Sequence, residues 1–295
     1  MTTSARVTMR DVARASGVSQ ATVSFVLNDT ANQTIPEATR EKVRRAAAEL
    51  GYVPNSIARA LREGASRIVV LEVGGLPPGR SLDAFIAGMD AELAAAGHGL
   101  LVSYGSAATA IDAVSPRAVI DLPAINATPD GSMHGMAAHA RVQIGHLAAR
   151  GHRSIAVAVP EEGGLVFDAT AGHVRAAATA LDLPEPATLL VGAAETTAER
   201  LRALLGEGTT AVAGLDDDLA ISVLAALIDL GLRAPDDLAV IGFGDTAQGA
   251  LWRPRLTTVR IDAHMYGRRT ARQVLGLSTA DVKPAPAEVV GRDSA

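Results

Sequence analysis

With 295 residues, 48% of them hydrophobic, the chain has room for one small module beside a larger α/β unit and enough apolar material for a sizeable core. It holds no cysteine, which excludes a disulfide framework and a thiolate metal site and suits an intracellular protein. Its net charge of −5 is unevenly spread: residues 1–63 carry nine Arg and Lys against six Asp and Glu, a balance of +3 that leaves −8 for the remainder. A basic head on an acidic body is the pattern of a nucleic-acid-binding module joined to a domain with another task, because phosphate contacts need only local cations. At the start, Arg6, Arg10, Asp11 and Arg14 interrupt any apolar run, and no stretch approaches the ~20 apolar residues of a membrane span. The expectation is a soluble, cytoplasmic protein without a membrane partner.

Thr8 followed by Asp11 marks a capping-box start, and Val12 and Ala15 are spaced to share one face of a short helix through Ser16. Gly17 supplies a turn. Ser19 caps a second helix from Gln20 to about Leu27, with Val23, Val26 and Leu27 spaced to face the first. Two short helices joined by a Gly-containing turn form a helix-turn-helix, although periodicity alone fits an ordinary αα-hairpin equally well. In helix-turn-helix geometry the start of the second helix meets base edges, which places Gln20, Ala21 and Thr22 to read a major groove. Ser19, Thr22 and Ser24 carry short hydroxyls suited to phosphates. A third helix is expected with Pro36 at its first position, running through Val43, Ala46, Ala47 and Leu50 and stopping at Gly51. After Tyr52-Val53-Pro54, Asn55 caps one more helix to Arg62, too short to be stable alone in water and suited to ordering with a partner copy and DNA.

Five motifs in one register carry a resemblance. Val7-Thr8-Met9-Arg10-Asp11-Val12-Ala13, Gly17-Val18-Ser19, Thr22-Val23-Ser24, Thr39-Arg40-Glu41-Lys42-Val43 and Gly51-Tyr52-Val53-Pro54-Asn55 resemble the lactose-repressor (LacI/GalR) family. The resemblance implies a transcription regulator, a repressor, gripping a pseudo-palindromic double-stranded DNA operator as a homodimer or a tetramer. It implies hinge helices paired in the minor groove, with Leu61 wedged into the central base step, a trade of unstacking for a bent site that wraps more protein. Ile57 and Ala58 would pack the paired hinge helices, and Arg59 and Arg62 would reach phosphates. DNA contacts are thus expected at Thr8, Ser19, Gln20, Ala21, Thr22, Ser24, Phe25, Asn28, Tyr52, Asn55, Ile57, Ala58, Arg59 and Leu61. The chain departs from the family at Phe25, where many members place a guanine-reading arginine, and in a loop from Asn28 to Ile35 about two residues longer than usual.

From Ile68 onward short apolar runs alternate with helical stretches. Strands are expected at Ile68–Val73, Gly99–Tyr104, Ala118–Leu122, Ile155–Val159, Thr188–Val191, Thr210–Ala213 and Leu238–Phe243. Helices are expected at Leu82–Ala96, Met133–Arg150, Phe167–Leu181, Ala198–Leu205, Leu219–Leu230 and Ala263–Leu275. This alternation indicates βαβ units and parallel sheets, in two doubly wound lobes. The fold class is therefore an all-α helix-turn-helix domain at 1–54 with a hinge helix and linker at 55–64, followed by an α/β two-lobed sensor and dimerisation domain at 65–295. Gly145-His146-Leu147, Arg150-Gly151-His152-Arg153, Leu230 to Leu238, Val240-Ile241-Gly242-Phe243 and Leu256-Thr257-Thr258-Val259 resemble the family's sensor core, which implies a periplasmic-binding-protein-like body with an effector in its cleft.

The effector positions implied by the resemblance are altered. Leu82 stands where an aromatic is common and Thr170 where an arginine is common, while Asp217 matches the usual ligand-gripping aspartate. The segment between Tyr104 and Met133 looks shorter by about a helix and a strand. With aromatics at 3%, stacking partners for a sugar ring are scarce, so no ordinary sugar response is expected and the effector is unknown. A rival reading, an α/β enzyme or a ligand-binding protein, starts from the acidic cluster Asp216-Asp217-Asp218 or from His134, His139, His146 and His152. Adjacent carboxylates at a helix start are favoured by the helix dipole alone, no H-E-x-x-H pattern occurs, and no glycine run has dinucleotide spacing. No catalytic residue, metal or cofactor is expected.

Overall fold

A computed structural model describes residues 7–27, 34–52, 66–76, 78–105, 111, 115–128 and 135–295. Two compact units divide the chain, Met1–Ser66 and Arg67–Ala295.

The described residues of the first unit form three helices, α1 (Met9–Ser16), α2 (Gln20–Leu27) and α3 (Glu37–Glu49). The Asp11 carboxylate accepts from the Thr8 backbone N–H at 2.9 Å and the Thr8 hydroxyl at 2.6 Å, fixing the start of α1. Gly17, at φ 65°, turns the chain out of α1, a conformation that a side chain would strain. The Ser19 hydroxyl accepts the Thr22 N–H at 3.0 Å at the start of α2. Val12, Ala13, Val23, Val26, Val43, Ala46 and Ala47 form one small core, with Met9, Val18, Leu27, Ile35 and Tyr52 packed round it. Ala15, expected on the buried face, is exposed; Ser16 takes that place, its hydroxyl donating to the Val12 carbonyl at 2.6 Å. Pro36 caps α3 rather than opening it, because its ψ of 140° is not helical.

The second unit has two mostly parallel sheets. The first holds β1 (Ile68–Glu72), β2 (Gly99–Ser103) and β3 (Ala118–Asp121) in the order β2-β1-β3. Its helices include α4 (Arg80–Ala95) and the short α5 (Leu122–Asn126), and α6 (Met136–Ala149) leads into the second lobe. The second sheet is built from β4 (Ile155–Pro160), β5 (Ala187–Val191), β6 (Ala211–Gly214), β7 (Ala239–Phe243), β8 (Thr257–Arg260) and β9 (Glu288–Val290), in the order β5-β4-β6-β7-β8-β9. Only β9 pairs antiparallel, on β8. Between these strands lie α7 (Leu165–Thr179), α8 (Ala194–Gly206), α9 (Asp217–Asp229) and α10 (Ala247–Leu251), and α11 (Ala263–Leu275) returns to the first lobe.

The central strands read as continuous apolar runs because both faces are covered: β6 is buried throughout and β7 at four of its five positions. In the first lobe Val69, Leu71 and Val73 pack under Phe85, Met89 and Leu93 of α4 and Ala263 and Ala271 of α11. The two helices touch backbone to backbone. A Cβ on Gly88 would lie 2.0 Å from the His264 carbonyl oxygen, and one on Gly267 would lie 2.0 Å from that of Phe85. Glu92 joins the same pair, accepting from Arg268 at 2.8 Å and Arg272 at 2.7 Å.

Candidate functional site

On the first unit, Ser19, Gln20 and Ala21 are exposed at the start of α2, whereas Val23 and Val26 anchor the opposite side in the core. The exposed end thus presents a hydroxyl, an amide and a small apolar group on a rigid base. Thr22, Ser24, Phe25 and Tyr52 are half-buried, and the Tyr52 ring packs on the small core. Thr8 is exposed, but its hydroxyl is spent on Asp11. Phe25, half-buried, brings no base-reading cation to that position. Asn28, Asn55, Ile57, Ala58, Arg59 and Leu61 lie outside the described residues.

Within the second unit a cleft of about 160 Å³ opens between the lobes. Leu76, Leu82 and Phe85 line it from the first lobe, Val166, Phe167 and Thr170 from α7, and residues 215–218 with Phe243, Gly244 and Thr246 from the carboxyl ends of β6 and β7. Ligands in α/β folds gather at such strand ends. The buried Gln143 amide donates to the Gly214 carbonyl at 2.8 Å and the Gly242 carbonyl at 3.1 Å, clamping the two strand ends that form the cleft floor.

The cleft revises two expectations. The chain has four Phe, three Tyr and one Trp, and Phe85, Phe167, Phe243 and Tyr266 all line this one cleft. Stacking faces are therefore concentrated, not scarce; Phe85 stands one turn further along α4 than the Leu82 position examined for an aromatic. Leu82 and Thr170 do border the cleft. However, the Thr170 hydroxyl donates to the Val166 carbonyl at 2.8 Å within its own helix. Asp217 borders the cleft too, but not as a free carboxylate. Its carboxylate is fully buried and accepts from the Thr246 N–H at 2.6 Å, the Thr246 hydroxyl at 2.9 Å and the Thr258 hydroxyl at 2.5 Å. It ties α9 to β8 and to Thr246 at the start of α10, and three of its roughly four acceptor sites are taken up in doing so.

Asp216, its neighbour, borders the cleft, as the exposed Asp218 does, with no cation paired to it among the described residues. One of its oxygens caps α9 through the Leu219 N–H at 2.7 Å. Burial pushes its carboxyl up to about 6, and the charges of Asp218 and Asp217 add to the rise. Opposite in character is Asp245, which is held low because hydrogen bonds from Arg292 and Arg260 outweigh its burial; Arg80 also approaches it at 3.7 Å. The three acids at 216–218 thus serve as a cap, a buried tie and an exposed first-turn charge, and do not converge. Among the described residues no group of three or more His, Cys, Asp or Glu could hold a metal.

A helix-turn-helix unit followed by a two-lobed α/β body with a cleft at its strand ends defines the class of DNA-binding regulators that carry a ligand-binding-type body. The family model "Bacterial regulatory proteins, lacI family" matches residues 8–55, and the "Periplasmic binding protein-like domain" model matches residues 144–294. The chain belongs to the lacI family and is a DNA-binding transcription regulator. The lactose operon repressor of Escherichia coli (strain K12) is 27% identical over 314 aligned residues, covering 92% of this chain and 85% of that protein. The sucrose operon repressor of Vibrio alginolyticus is 51% identical over 67 residues, 23% of this chain and 69% of that protein. Among solved structures, the lac repressor dimer bound to operator and the anti-inducer ONPF superimposes with a TM-score of 0.75 at 24% identity, covering 98% of this chain and 99% of that one. These relatives are transcription regulators, not enzymes. No helix among the described residues is long and apolar enough to cross a membrane.

Proposed function

We propose that the protein is a cytoplasmic repressor that binds a pseudo-palindromic operator as a homodimer, without catalytic turnover. The observation that supports this most is the start of α2, where Ser19, Gln20 and Ala21 stand exposed on a core that Val12, Val23, Val26 and Val43 hold rigid. Gln20, Ala21 and Thr22 read base edges in a major groove, and Ser19 and Ser24 hold phosphates. Residues 55–62 form the hinge that pairs with a second copy in the minor groove, where Leu61 opens the central base step and Arg59 reaches phosphate. Residues 65–295 hold the dimer together and carry the effector cleft. An effector acts by binding the DNA-competent and DNA-free states unequally. The operator selected by the full chain tests the assignment of roles: exchanging the residues at 20 and 21 (Gln20→Ala with Ala21→Gln) shifts base preference in each half-site, whereas Arg59→Ala weakens binding to all sequences alike. Equal loss on every sequence from both changes would remove α2 from its reading role.

A further inference from the structure

The chemistry of the cleft defines the ligand it takes. Its volume of about 160 Å³ is close to that of engineered apolar cavities of ~150 Å³ that admit benzene, which is room for one ring. Phe85, Phe167, Phe243 and Tyr266 supply faces for that ring. Three hydroxyls on its border are already committed as donors, Ser81 to the Gly244 carbonyl, Thr170 to the Val166 carbonyl and Thr246 to Asp217, and the Tyr266 hydroxyl meets the His139 Nε2 at 3.3 Å. What these groups and Asp216 offer a ligand is lone pairs, so the ligand must bring the donors. A carboxylate, which needs donors from the protein, is poorly matched. Arg80 is the cation on the border, and it leans toward Asp245 at 3.7 Å. Against it stand the three acids at 216–218, all on the border, of which Asp216 is half-buried with no cation paired among the described residues.

On the reading that this cleft is the effector site, we propose that its ligand is a small organic amine, with one ring-sized apolar body among the four aromatic side chains and its ammonium group at Asp216. A charge-assisted hydrogen bond to a carboxylate in a largely apolar site, together with aromatic faces nearby, is the combination that distinguishes an ammonium from a neutral group of the same size.

Titration calorimetry on the full chain tests this with matched pairs: 2-phenylethylamine against 2-phenylethanol, and cyclohexylmethylamine against cyclohexylmethanol, with glucose alongside. The amines bind at least about tenfold more tightly than the alcohols, a difference of ~1.4 kcal/mol. Asp216→Asn, which keeps an oxygen to cap α9, removes that preference, and Phe167→Ala weakens amine and alcohol together. Equal affinity for amine and alcohol, binding of glucose alone, or no binding of either amine would overturn the proposal. Adding the same amines to the complex with selected DNA separates the two readings. Amine binding that leaves DNA affinity unchanged keeps the ligand assignment and refutes the effector role; DNA binding with no amine uptake does the reverse.

Discussion

Asp216 shows how two adjacent residues of the same type acquire different work from their surroundings. Asp217 accepts three hydrogen bonds from Thr246 and Thr258 in the interior, whereas Asp216 has only backbone donors, at Leu219 and Asp218, and loses water without gaining a cation. The folded protein therefore holds the Asp216 proton more tightly than the unfolded chain does. An acid whose carboxyl rises to about 6 on folding lowers stability as pH climbs from its ordinary value of 3.8 toward 6, after which the loss is complete. At pH 7 its charge costs on the order of 1–2 kcal/mol after allowance for partial exposure, and Asp216→Asn restores that amount while keeping the cap. Thermal unfolding of wild type and variant between pH 4 and 7 checks this: the curves converge at pH 4 and the variant melts higher at pH 7. A variant that melts lower at pH 7 would mean that the carboxylate has a stabilising partner. The Arg-held Asp245 titrates with the opposite sign, since its contribution is present above its unfolded value and is lost as pH falls through its lowered one.

At the scale of elements, the contact between α4 and α11 rests on two glycines with no room for a methyl group. Gly88→Ala would drive a Cβ into the His264 backbone oxygen at 2.0 Å, and backbone cannot swing aside as a side chain can. Such overpacking costs ~1–3 kcal/mol or more, and here it also parts Glu92 from its two arginines. Gly145→Ala in α6 is the control, because its Cβ meets nothing within 4 Å and alanine gains ~0.5–1 kcal/mol in a helix. Melting temperatures in opposite directions are expected; equal shifts would show that α4 and α11 do not pack so closely. Periodicity alone could not show this contact, since it places a glycine on a helix face without saying which backbone arrives there. Most elements, by contrast, were legible. The expected α2, Gln20 to Leu27, and the expected Ala263–Leu275 have the observed bounds, because caps and turn glycines mark helix ends. The strands β8 and β9 escaped notice: Thr257-Thr258-Val259 is short and half polar, and Glu288–Val290 is three residues. The cleft aromatics escaped for a related reason, since Phe85, Phe167, Phe243 and Tyr266 are far apart in sequence and only the fold gathers them.

Over the whole molecule, a basic head and an acidic body divide the labour, with +3 on residues 1–63 and −8 on the rest. The exposed start of α2 is small, so a single copy makes few base contacts and many sequences satisfy it. In the proposed dimer two copies would double the readout and impose an inverted order on the half-sites, because the symmetry of the protein would be copied into the DNA. The phosphate share of the binding releases counterions, so affinity falls steeply with salt, by a slope of about −0.9 per neutralised phosphate. Selection of random duplex DNA by the full chain, followed by sequencing of the bound pool and titration of the best duplex across a salt series, tests the account most directly. The account predicts enrichment of an inverted repeat whose scrambled version binds at least about 10³-fold more weakly at the same salt. A bound pool with no shared motif, or equal affinity for the selected and scrambled duplexes, would contradict it.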